Sequence, residues 1–375
     1  MSTIIMVHGV GGTAEAFSRL APAFRDLGWK VETPTLFPDK RTAENPPADL
    51  HRLRLKDYVD AIETLARHVE AAEGVAPVLF GHSMGGMIVQ KLAERGVGRA
   101  GVLLTPASPA DARGSRALAQ AVTFANILFT GDPANKAHKI WRTGFFWGVL
   151  NRVPKAKHEG IYAGTVYDSG GVYNDLAYPD RDPDRTCFID SARIAIPLLV
   201  LGGARDRATP IDDVRRVGAK YAAVGGAYIE YPENAHWIVD EPGTDKVIAD
   251  IAGWLADKGI TAKPPAKAAT VAKPKAAAKA APAAKAKAAP AARSGRPAKP
   301  APATETAAKR AAKGAAAPKP PAKTTAPSSK APGKPAAVKA TSAPAAKSAK
   351  AAKAAKPATK ATTPGKTTVR TPKSK

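Results

Sequence analysis

Two kinds of apolar pattern alternate along the first 259 residues of the chain. One is a short continuous apolar run, typical of a buried strand, and the other has apolar residues at three- and four-residue spacing, typical of a helix with one buried face. Repeated strand–helix units predict an α/β fold: a mostly parallel sheet with helices on both faces. The predicted strands are 3–7, 29–32, 75–80, 101–104, 196–201 and 227–231, and the predicted helices are about 13–27, 55–72, 84–94, 211–222 and 244–258.

Residues 106 to about 195 interrupt this alternation after the fourth predicted strand. The segment holds two helix-like stretches, 116–129 and 136–150, and a portion rich in Gly, Pro and Asp. We interpret it as a cap, or lid, inserted between two strands of the sheet.

The composition changes abruptly after Gly259. Residues 260–375 contain 27 Lys and Arg, one acid and 18 prolines, but no Phe, Trp, Tyr, Leu or Cys. Such a segment has too little apolar surface to offset the entropy lost on ordering, so we predict a disordered polycation. Residues 1–259, with 30 basic and 31 acidic side chains, are left as one nearly neutral domain.

The Ala/Lys/Pro-rich segment 260–375 resembles the C-terminal tails of linker histones and of bacterial histone-like proteins. Such a tail could bind DNA, RNA, polyphosphate or an anionic surface by releasing counterions. It offers no aromatic platform for stacking bases, so we expect any such binding to be non-specific.

Two further features bear on the cellular location. The first residues, MSTIIMVHG, lack the basic and apolar regions of a signal peptide, and no apolar run approaches the roughly 18 to 20 residues of a membrane helix. The single cysteine, Cys187, is compatible with a reducing compartment. We therefore expect a cytoplasmic protein without a transmembrane segment, in which Cys187 serves packing.

A glycine-rich turn follows the first predicted strand. Gly9–Ala14 (GVGGTA) fits the loose dinucleotide-binding pattern G-x-G-x-x-G/A, and Glu32 follows at the next strand, where such sites bind a ribose. A nucleotide site is one interpretation of this turn.

A second motif joins the third predicted strand to the following helix. Gly81–Gly85 (GHSMG) has the form G-x-S-x-G, which in this context places a serine on a very sharp turn whose neighbours must be small. The turn would expose the Ser83 hydroxyl above the sheet. It would also place the Met84 N–H at a helix N-terminus, where it could donate to an oxyanion.

A serine hydroxyl needs a base, and the base needs an acid to orient it. Of the seven histidines, only His236 follows the last predicted strand. Asp206 follows the neighbouring strand 196–201, and Asp111, after the fourth strand, is the alternative acid. We prefer Asp206 because its strand neighbours the one that delivers His236.

These motifs together resemble the α/β-hydrolase superfamily over about residues 3–257. The resemblance rests on His8–Gly12 after the first strand, the elbow at Gly81–Gly85, and then Asp206 and His236 in the order serine, acid, histidine. It implies an α/β-hydrolase fold, with the insertion at the position of the family's lid.

The resemblance also implies a mechanism. Ser83, His236 and Asp206 would form a catalytic triad, and the backbone N–H groups of Val10 and Met84 would form the oxyanion hole. It favours a serine esterase or lipase that forms an acyl-enzyme, and it replaces the dinucleotide interpretation of Gly9–Ala14. The histidines are dispersed, so we predict neither a cofactor nor a metal.

The insertion is rich in aromatic residues, which predict a small-molecule substrate with an apolar acyl group if they face it; the alternative is that they pack the cap onto the body. A thioesterase, an amidase or an acyltransferase would use the same triad. Two alternatives use the tail: a nucleic-acid- or polyanion-associated protein with a catalytically idle hydrolase body, and a granule-bound lipase or depolymerase. The lid residues predicted to contact substrate are Trp141, Phe145, Phe146 and Trp147.

Overall fold

The computed structural model describes residues 2–114 and 117–262 of the chain. Its strands are β1 Thr3–Val7, β2 Lys30–Glu32, β3 Val78–His82, β4 Ala100–Leu104, β5 Ala137–His138, β6 Asp168–Ser169, β7 Leu198–Gly203 and β8 Ala227–Tyr231. Six of them form one sheet in the order β2-β1-β3-β4-β7-β8, with every neighbouring pair parallel. The carboxyl ends of all six therefore meet along one edge of the sheet.

Helices cover both faces of this sheet. The helices of the described residues are α1 Leu20–Asp26, α2 Leu55–Glu73, α3 Met84–Glu94, α4 Leu118–Thr123, α5 Ala125–Leu128, α6 Arg142–Gly144, α7 Lys155–Ala163, α8 Gly170–Ala177, α9 Ile211–Ala222 and α10 Thr244–Asp257, of which α4 to α8 lie in the insertion. Residues of α1 and α10 pack into one core cluster, and residues of α2, α3 and α9 pack into a second. The central strands are thus buried on both faces.

The β1 strand shows how its apolar run serves both cores. Ile4 and Met6 belong to the cluster with α1 and α10, whereas Ile5 and Val7 belong to the cluster with α2, α3 and α9. Successive side chains of a strand point to opposite faces, so a strand covered on both sides must be apolar throughout.

The predicted α/β fold with a mostly parallel sheet is confirmed. Two details differ. The first predicted helix, 13–27, is a 3₁₀ turn at Ala14–Phe17 followed by α1, which places Pro22 in the first turn of α1, where its missing N–H is tolerated. The β3 and β7 strands also end two residues later than predicted, so that extended backbone continues to the turns at their carboxyl ends.

The insertion differs most from its prediction. The helix-like stretch 136–150 begins as the β5 strand, which pairs antiparallel with β6, and becomes helical only at α6, continued by a π-helical turn at Phe145–Val149. The partner strand lies about 30 residues further along the chain, beyond the reach of a local periodicity argument.

The ordered fold continues slightly beyond α10. The Ser2 N–H donates to the Ala262 carbonyl oxygen at 2.8 Å, and Ile260 and Ala262 pack against the first core cluster. The remainder of the predicted tail, 263–375, lies outside the described residues. Within the described ranges, none of the helices has the length and apolarity needed to cross a membrane.

Candidate active site

Ser83 occupies a strained turn between β3 and α3. Its φ of 56° and ψ of −117° are rarely adopted by residues other than glycine, a conformation that costs about 1–3 kcal/mol. A Cβ on Gly81 would lie 2.2 Å from the Gly85 carbonyl oxygen, and one on Gly85 would lie 2.0 Å from the Val7 carbonyl oxygen. The turn is therefore too closely packed for a side chain at either glycine.

Two backbone N–H groups near Ser83 are available to a ligand. Met84 begins α3, so its N–H has no acceptor within the helix. The turn after β1 packs against the serine, since a Cβ on Gly9 would lie 2.9 Å from Ser83 Cβ. Val10, in that turn, lines the same cavity as Ser83, and its N–H has no acceptor among the described residues.

His236 and Asp206 meet on neighbouring loops at the same edge of the sheet. His236 Nδ1 lies 2.9 Å from Asp206 Oδ2, and both side chains are buried. The second oxygen, Asp206 Oδ1, accepts hydrogen bonds from the N–H groups of Ala208 and Thr209 at 2.7 and 2.9 Å. The imidazole is thereby held by Nδ1, which leaves Nε2 for Ser83 on the wall of the same cavity.

A threonine completes the support of this carboxylate. Thr209 Oγ1 donates to Asp206 Oδ2 at 2.6 Å and lies 3.2 Å from His236 Nδ1. Sequence analysis missed Thr209, although the spacing Asp-x-x-Thr is a local signal for a carboxylate that caps a turn. The alternative acid, Asp111, is not brought to His236 but forms an ion pair with Lys220 of α9.

His82, the residue before the serine, supports the loop that carries His236. Its Nε2–H donates to the His236 carbonyl oxygen at 2.9 Å, and Thr105 Oγ1 donates to the same oxygen at 3.0 Å. Burial, and then the charge of His236, lowers the pKa of His82 to about 3. A neutral imidazole at this position places no positive charge beside His236.

The cavity above Ser83 is small, with a volume of about 30 Å³. A neighbouring cavity of about 200 Å³ shares Gly12, Ala16, Thr165 and Trp237 with it and is more polar, with Glu15 and Asp240 in its wall. Residues of the insertion form the apolar wall of the smaller cavity: Phe124, Ile140, Phe145 and Val149.

Of the four lid residues singled out in the sequence, only Phe145 lines this cavity. Trp141 donates its Nε1–H to the Thr123 carbonyl oxygen. Phe146 packs against Tyr162. Trp147 lies under the guanidinium of Arg207 and is 39% exposed. The structure thus uses three of the four to pack the insertion rather than to line the cavity.

The turn after β1 is unsuited to a dinucleotide. The N–H of Gly11, which would face a pyrophosphate, donates to the carboxylate of Asp168 at 2.8 Å, and the carboxylate of Glu32 forms an ion pair with Lys30. A negative charge already occupies the position that a phosphate would take. In the part of the chain that the structure describes, no cluster of His, Cys, Asp or Glu is arranged to hold a metal ion.

Comparison with known proteins places this fold and site in a family. A profile of the Alpha/beta hydrolase family matches residues 4–250. The chain therefore belongs to the alpha/beta hydrolase family, and the predicted class of enzyme, an esterase- or lipase-like hydrolase, is confirmed at that level.

Individual relatives are distant. The chain is 24% identical over 257 residues to a monoacylglycerol lipase of Mycolicibacterium smegmatis, covering 67% of this chain and 87% of the relative. A crystal structure of a Paleococcus ferrophilus monoacylglycerol lipase superposes with a TM-score of 0.52 at 22% identity, covering 68% of this chain and 94% of that one. Polyneuridine aldehyde esterase gives a TM-score of 0.51 at 17% identity, covering 67% and 99%. At these identities the two structures support the fold.

Proposed function

We propose that the protein is a serine hydrolase that cleaves a carboxylic ester through an acyl-enzyme intermediate. The observation that carries the proposal is the convergence on one cavity of Ser83, on its strained turn, and His236, held at 2.9 Å by Asp206. A strained nucleophile, an oriented base and two unpaired N–H groups are the parts that acyl transfer requires.

In the first step, Ser83 Oγ attacks the ester carbonyl carbon while His236 Nε2 takes the hydroxyl proton. The carbonyl oxygen becomes an oxyanion, which the N–H groups of Val10 and Met84 stabilise. When the tetrahedral intermediate collapses, the bond to the leaving oxygen breaks and His236 returns the proton to it, releasing an alcohol. The acyl group remains on Ser83.

In the second step, His236 takes a proton from water, and the resulting hydroxide attacks the acyl carbon. The oxyanion forms again at the same N–H groups, and its collapse releases the acid as the proton returns to Ser83 Oγ. Asp206 keeps Nδ1 protonated throughout and stabilises the imidazolium in both steps.

We further propose that the acyl group is apolar and small. The wall contributed by Phe124, Ile140 and Phe145 has no charged group, and the cavity of about 30 Å³ is only a few atoms in size. The distant relative named as a monoacylglycerol lipase supports an ester over an amide or a thioester.

The direct test is turnover of p-nitrophenyl esters of increasing chain length by the full chain. Ser83→Ala should lower kcat by at least about 1000-fold, because no other group supplies the nucleophile. Ser191→Ala, outside the cavity, is the matched control. A fluorophosphonate probe should label wild type and Ser191→Ala but not Ser83→Ala. Ordinary turnover by Ser83→Ala would sink the proposal, and an unlabelled, inactive wild type would favour the alternative of an idle hydrolase body.

A second proposal concerns residues 260–375, which hold 27 Lys and Arg and one acid. We propose that they bind polyanions by counterion release, holding the enzyme on DNA, RNA, polyphosphate or an anionic surface. Affinity for duplex DNA should fall about 10³- to 10⁵-fold between 50 and 200 mM salt if six to ten phosphates are contacted. A chain ending at Ala262 should not be retained on DNA-cellulose; equal retention of both chains would contradict the assignment. Co-sedimentation with polyester granules instead of DNA would favour the granule-bound lipase.

A further inference from the structure

The insertion binds the turn after β1 through its backbone. We call Gly9–Gly12 the glycine loop. Its Gly11, with φ of +64°, donates its N–H to Asp168 Oδ2 at 2.8 Å and accepts from the Val166 N–H at 2.9 Å. Both polar backbone groups of Gly11 are therefore bonded to the insertion, at and just before β6.

Arg41 binds both the same loop and Asp168. Its side chain is fully buried, and its Nη2 donates to the Gly12 carbonyl oxygen at 2.8 Å and to Asp168 Oδ2 at 2.9 Å. Its Nη1 donates to the Leu36 carbonyl oxygen at 3.0 Å. One buried ion pair, Arg41–Asp168, thus bonds the N–H of Gly11 and the carbonyl of Gly12 in the glycine loop.

Two further donors bond the other carboxylate oxygen of Asp168. Asp168 Oδ1 accepts from Tyr58 OH at 2.6 Å and from the Ser169 N–H at 2.9 Å. Burial acts to raise the pKa of the Asp168 carboxyl, but the charge of Arg41 and these donors hold it below its usual range.

His8 also contacts Arg41. Its Nε2 accepts from the Leu36 N–H at 3.1 Å and lies 3.3 Å from Arg41 Nη1, while its Nδ1–H donates to the Gly9 carbonyl oxygen at 2.9 Å. A neutral imidazole in this one tautomer satisfies all three contacts. The glycine loop is thereby bonded at Gly9, Gly11 and Gly12, whereas the Val10 N–H has no acceptor in the part of the chain that the structure describes.

A buried ion pair is an expensive way to stabilise a fold, because desolvation offsets much of the attraction. Here the ion pair contributes mainly by fixing the orientation of backbone groups. Asp168 holds the peptide unit between Val10 and Gly11, and Arg41 holds the Gly12 carbonyl. The Gly9 carbonyl, which shares a peptide unit with the Val10 N–H, accepts from the Gly12 N–H at 3.1 Å and from His8 Nδ1–H at 2.9 Å. An oxyanion donor must be aimed to within a fraction of an ångström.

We propose that Arg41 and Asp168 are positioning residues that hold the glycine loop in the orientation that aims the Val10 N–H at the oxyanion, so that the insertion completes the oxyanion hole. The inference rests on the proposed serine hydrolase mechanism. It assigns the insertion a role in transition-state stabilisation, in addition to its lining of the cavity.

The test is Asp168→Asn in the full chain. Asn keeps the shape but removes the charge that holds Arg41, so the loop loses its fixed orientation. We expect kcat to fall about 10- to 100-fold with KM changed less than threefold, because an oxyanion donor acts mainly in the transition state. Inhibition by a trifluoromethyl ketone, which forms the tetrahedral adduct, should weaken by the same factor as kcat/KM.

Asp175→Asn is the matched control. Asp175 is a buried carboxylate of the same insertion that pairs with Arg54 and accepts from the Leu55 N–H, with no contact to the glycine loop. This variant should keep kcat within about twofold of wild type. Tyr58→Phe, which removes only one donor to Asp168, is the milder variant to use if Asp168→Asn fails to fold. It should lower kcat about threefold.

Hydrogen–deuterium exchange gives a readout that does not depend on turnover. The peptide containing Gly9–Gly12 should exchange faster in Asp168→Asn or Tyr58→Phe than in wild type and Asp175→Asn. Unchanged exchange there, or an equal loss of kcat in Asp168→Asn and Asp175→Asn, would overturn the positioning role. Failure of the hydrolase mechanism itself would appear separately, as wild-type turnover by Ser83→Ala.

Discussion

Two of the loops at the candidate active site are each organised around one buried carboxylate. Asp168 binds the glycine loop, Gly9–Gly12. Glu241 binds the histidine loop, Asn234–Trp237, by accepting from the N–H groups of Ala235 and Trp237 at 2.7 and 3.1 Å. In both places an acceptor with several lone pairs fixes irregular backbone that has no partner in the sheet.

The two carboxylates differ in their charge partner. Asp168 forms an ion pair with buried Arg41 and its pKa is lowered, whereas Glu241 forms no ion pair with a Lys or Arg among the described residues and burial raises its pKa. The glycine loop is thus held by an ion pair that reaches it from the insertion, and the histidine loop by a hydrogen-bond acceptor from its own neighbourhood. The first arrangement bonds the insertion to the candidate active site. The second fixes the loop that carries His236 through a residue a few positions further along the chain.

The largest expected effect is on kcat, and it tests whether the histidine loop carries the base. His236→Ala should lower kcat by about 10⁴-fold or more, since the base acts in both steps of the reaction. His68→Ala, on the exposed face of α2, is the control and should leave kcat unchanged. Initial rates on a short p-nitrophenyl ester measure both. A loss of less than tenfold would mean that the histidine loop does not carry the base.

The next effect compares the two carboxylates in stability. Asp168→Asn leaves Arg41 buried without a counter-charge and should lower the free energy of unfolding by about 3–5 kcal/mol. Glu241→Gln leaves no buried charge without a partner. It should lower the free energy of unfolding by about 1 kcal/mol, which corresponds to the loss of one hydrogen bond. Urea unfolding of the full-length variants gives both values. Equal losses would show that the ion pair does not distinguish the loops.

A third expected effect is a loss of stability in acid, because a buried neutral histidine bonds to each loop. Burial lowers the pKa of His8, under the glycine loop, and of His82, under the histidine loop, to about 3 each. The unfolded chain binds these protons near pH 6.5 and the folded chain does not, so stability present above pH 6.5 is lost as the pH falls toward 3. At pH 5 the loss should be about 2 kcal/mol for each histidine.

This pH dependence is measured by urea unfolding between pH 8 and 5 for wild type, His8→Gln and His82→Gln. Asp175 and Glu241, whose pKa values are raised, act in the opposite direction, so the difference between wild type and each variant isolates one histidine. Each variant should show a shallower decline than wild type. A decline as steep as that of wild type would contradict the neutral state of that histidine.

The smallest expected effect concerns Thr209, which supports Asp206 beside His236. Thr209→Val removes the hydroxyl that donates to Asp206 Oδ2 at 2.6 Å while keeping the shape of the side chain. We expect kcat to fall about tenfold, because one charge-assisted hydrogen bond contributes about 1.5 kcal/mol. Thr64→Val, on the exposed face of α2, is the control. An unchanged kcat would show that the two N–H groups bonded to Asp206 suffice to orient it.

Much of the fold could be predicted because its signals are local. The β1 run, the elbow at Gly81–Gly85 and the helix α9 each depend on residues within a few positions of one another. The insertion could not be predicted in the same way, since β5 pairs with β6 far along the chain and the stretch beginning at Lys136 carries helix-like spacing without forming a helix there.

The candidate site shows the same difference between local signals and distant contacts. Ser83, Asp206 and His236 could be proposed because each lies in the turn or loop that follows a strand, and parallel strands bring their carboxyl ends together. Arg41 gave no signal, because Asp39-Lys40-Arg41 reads as an exposed charged turn and its partner Asp168 lies 127 residues away. Phe145 could not be told from Trp141, Phe146 and Trp147, since only packing decides which aromatic ring of a cap faces the cavity.

The sequence by itself determined the alternation of strands and helices, the strained serine turn and the separation of a nearly neutral body from a strongly basic segment. These follow from local backbone preferences, apolar spacing and composition, which need no knowledge of distant contacts. Only the tertiary structure decided that the insertion bonds to the glycine loop and that Arg41 is buried against Asp168. A buried charge is tolerated only where the fold supplies its partner, and that partner is set by how distant segments pack.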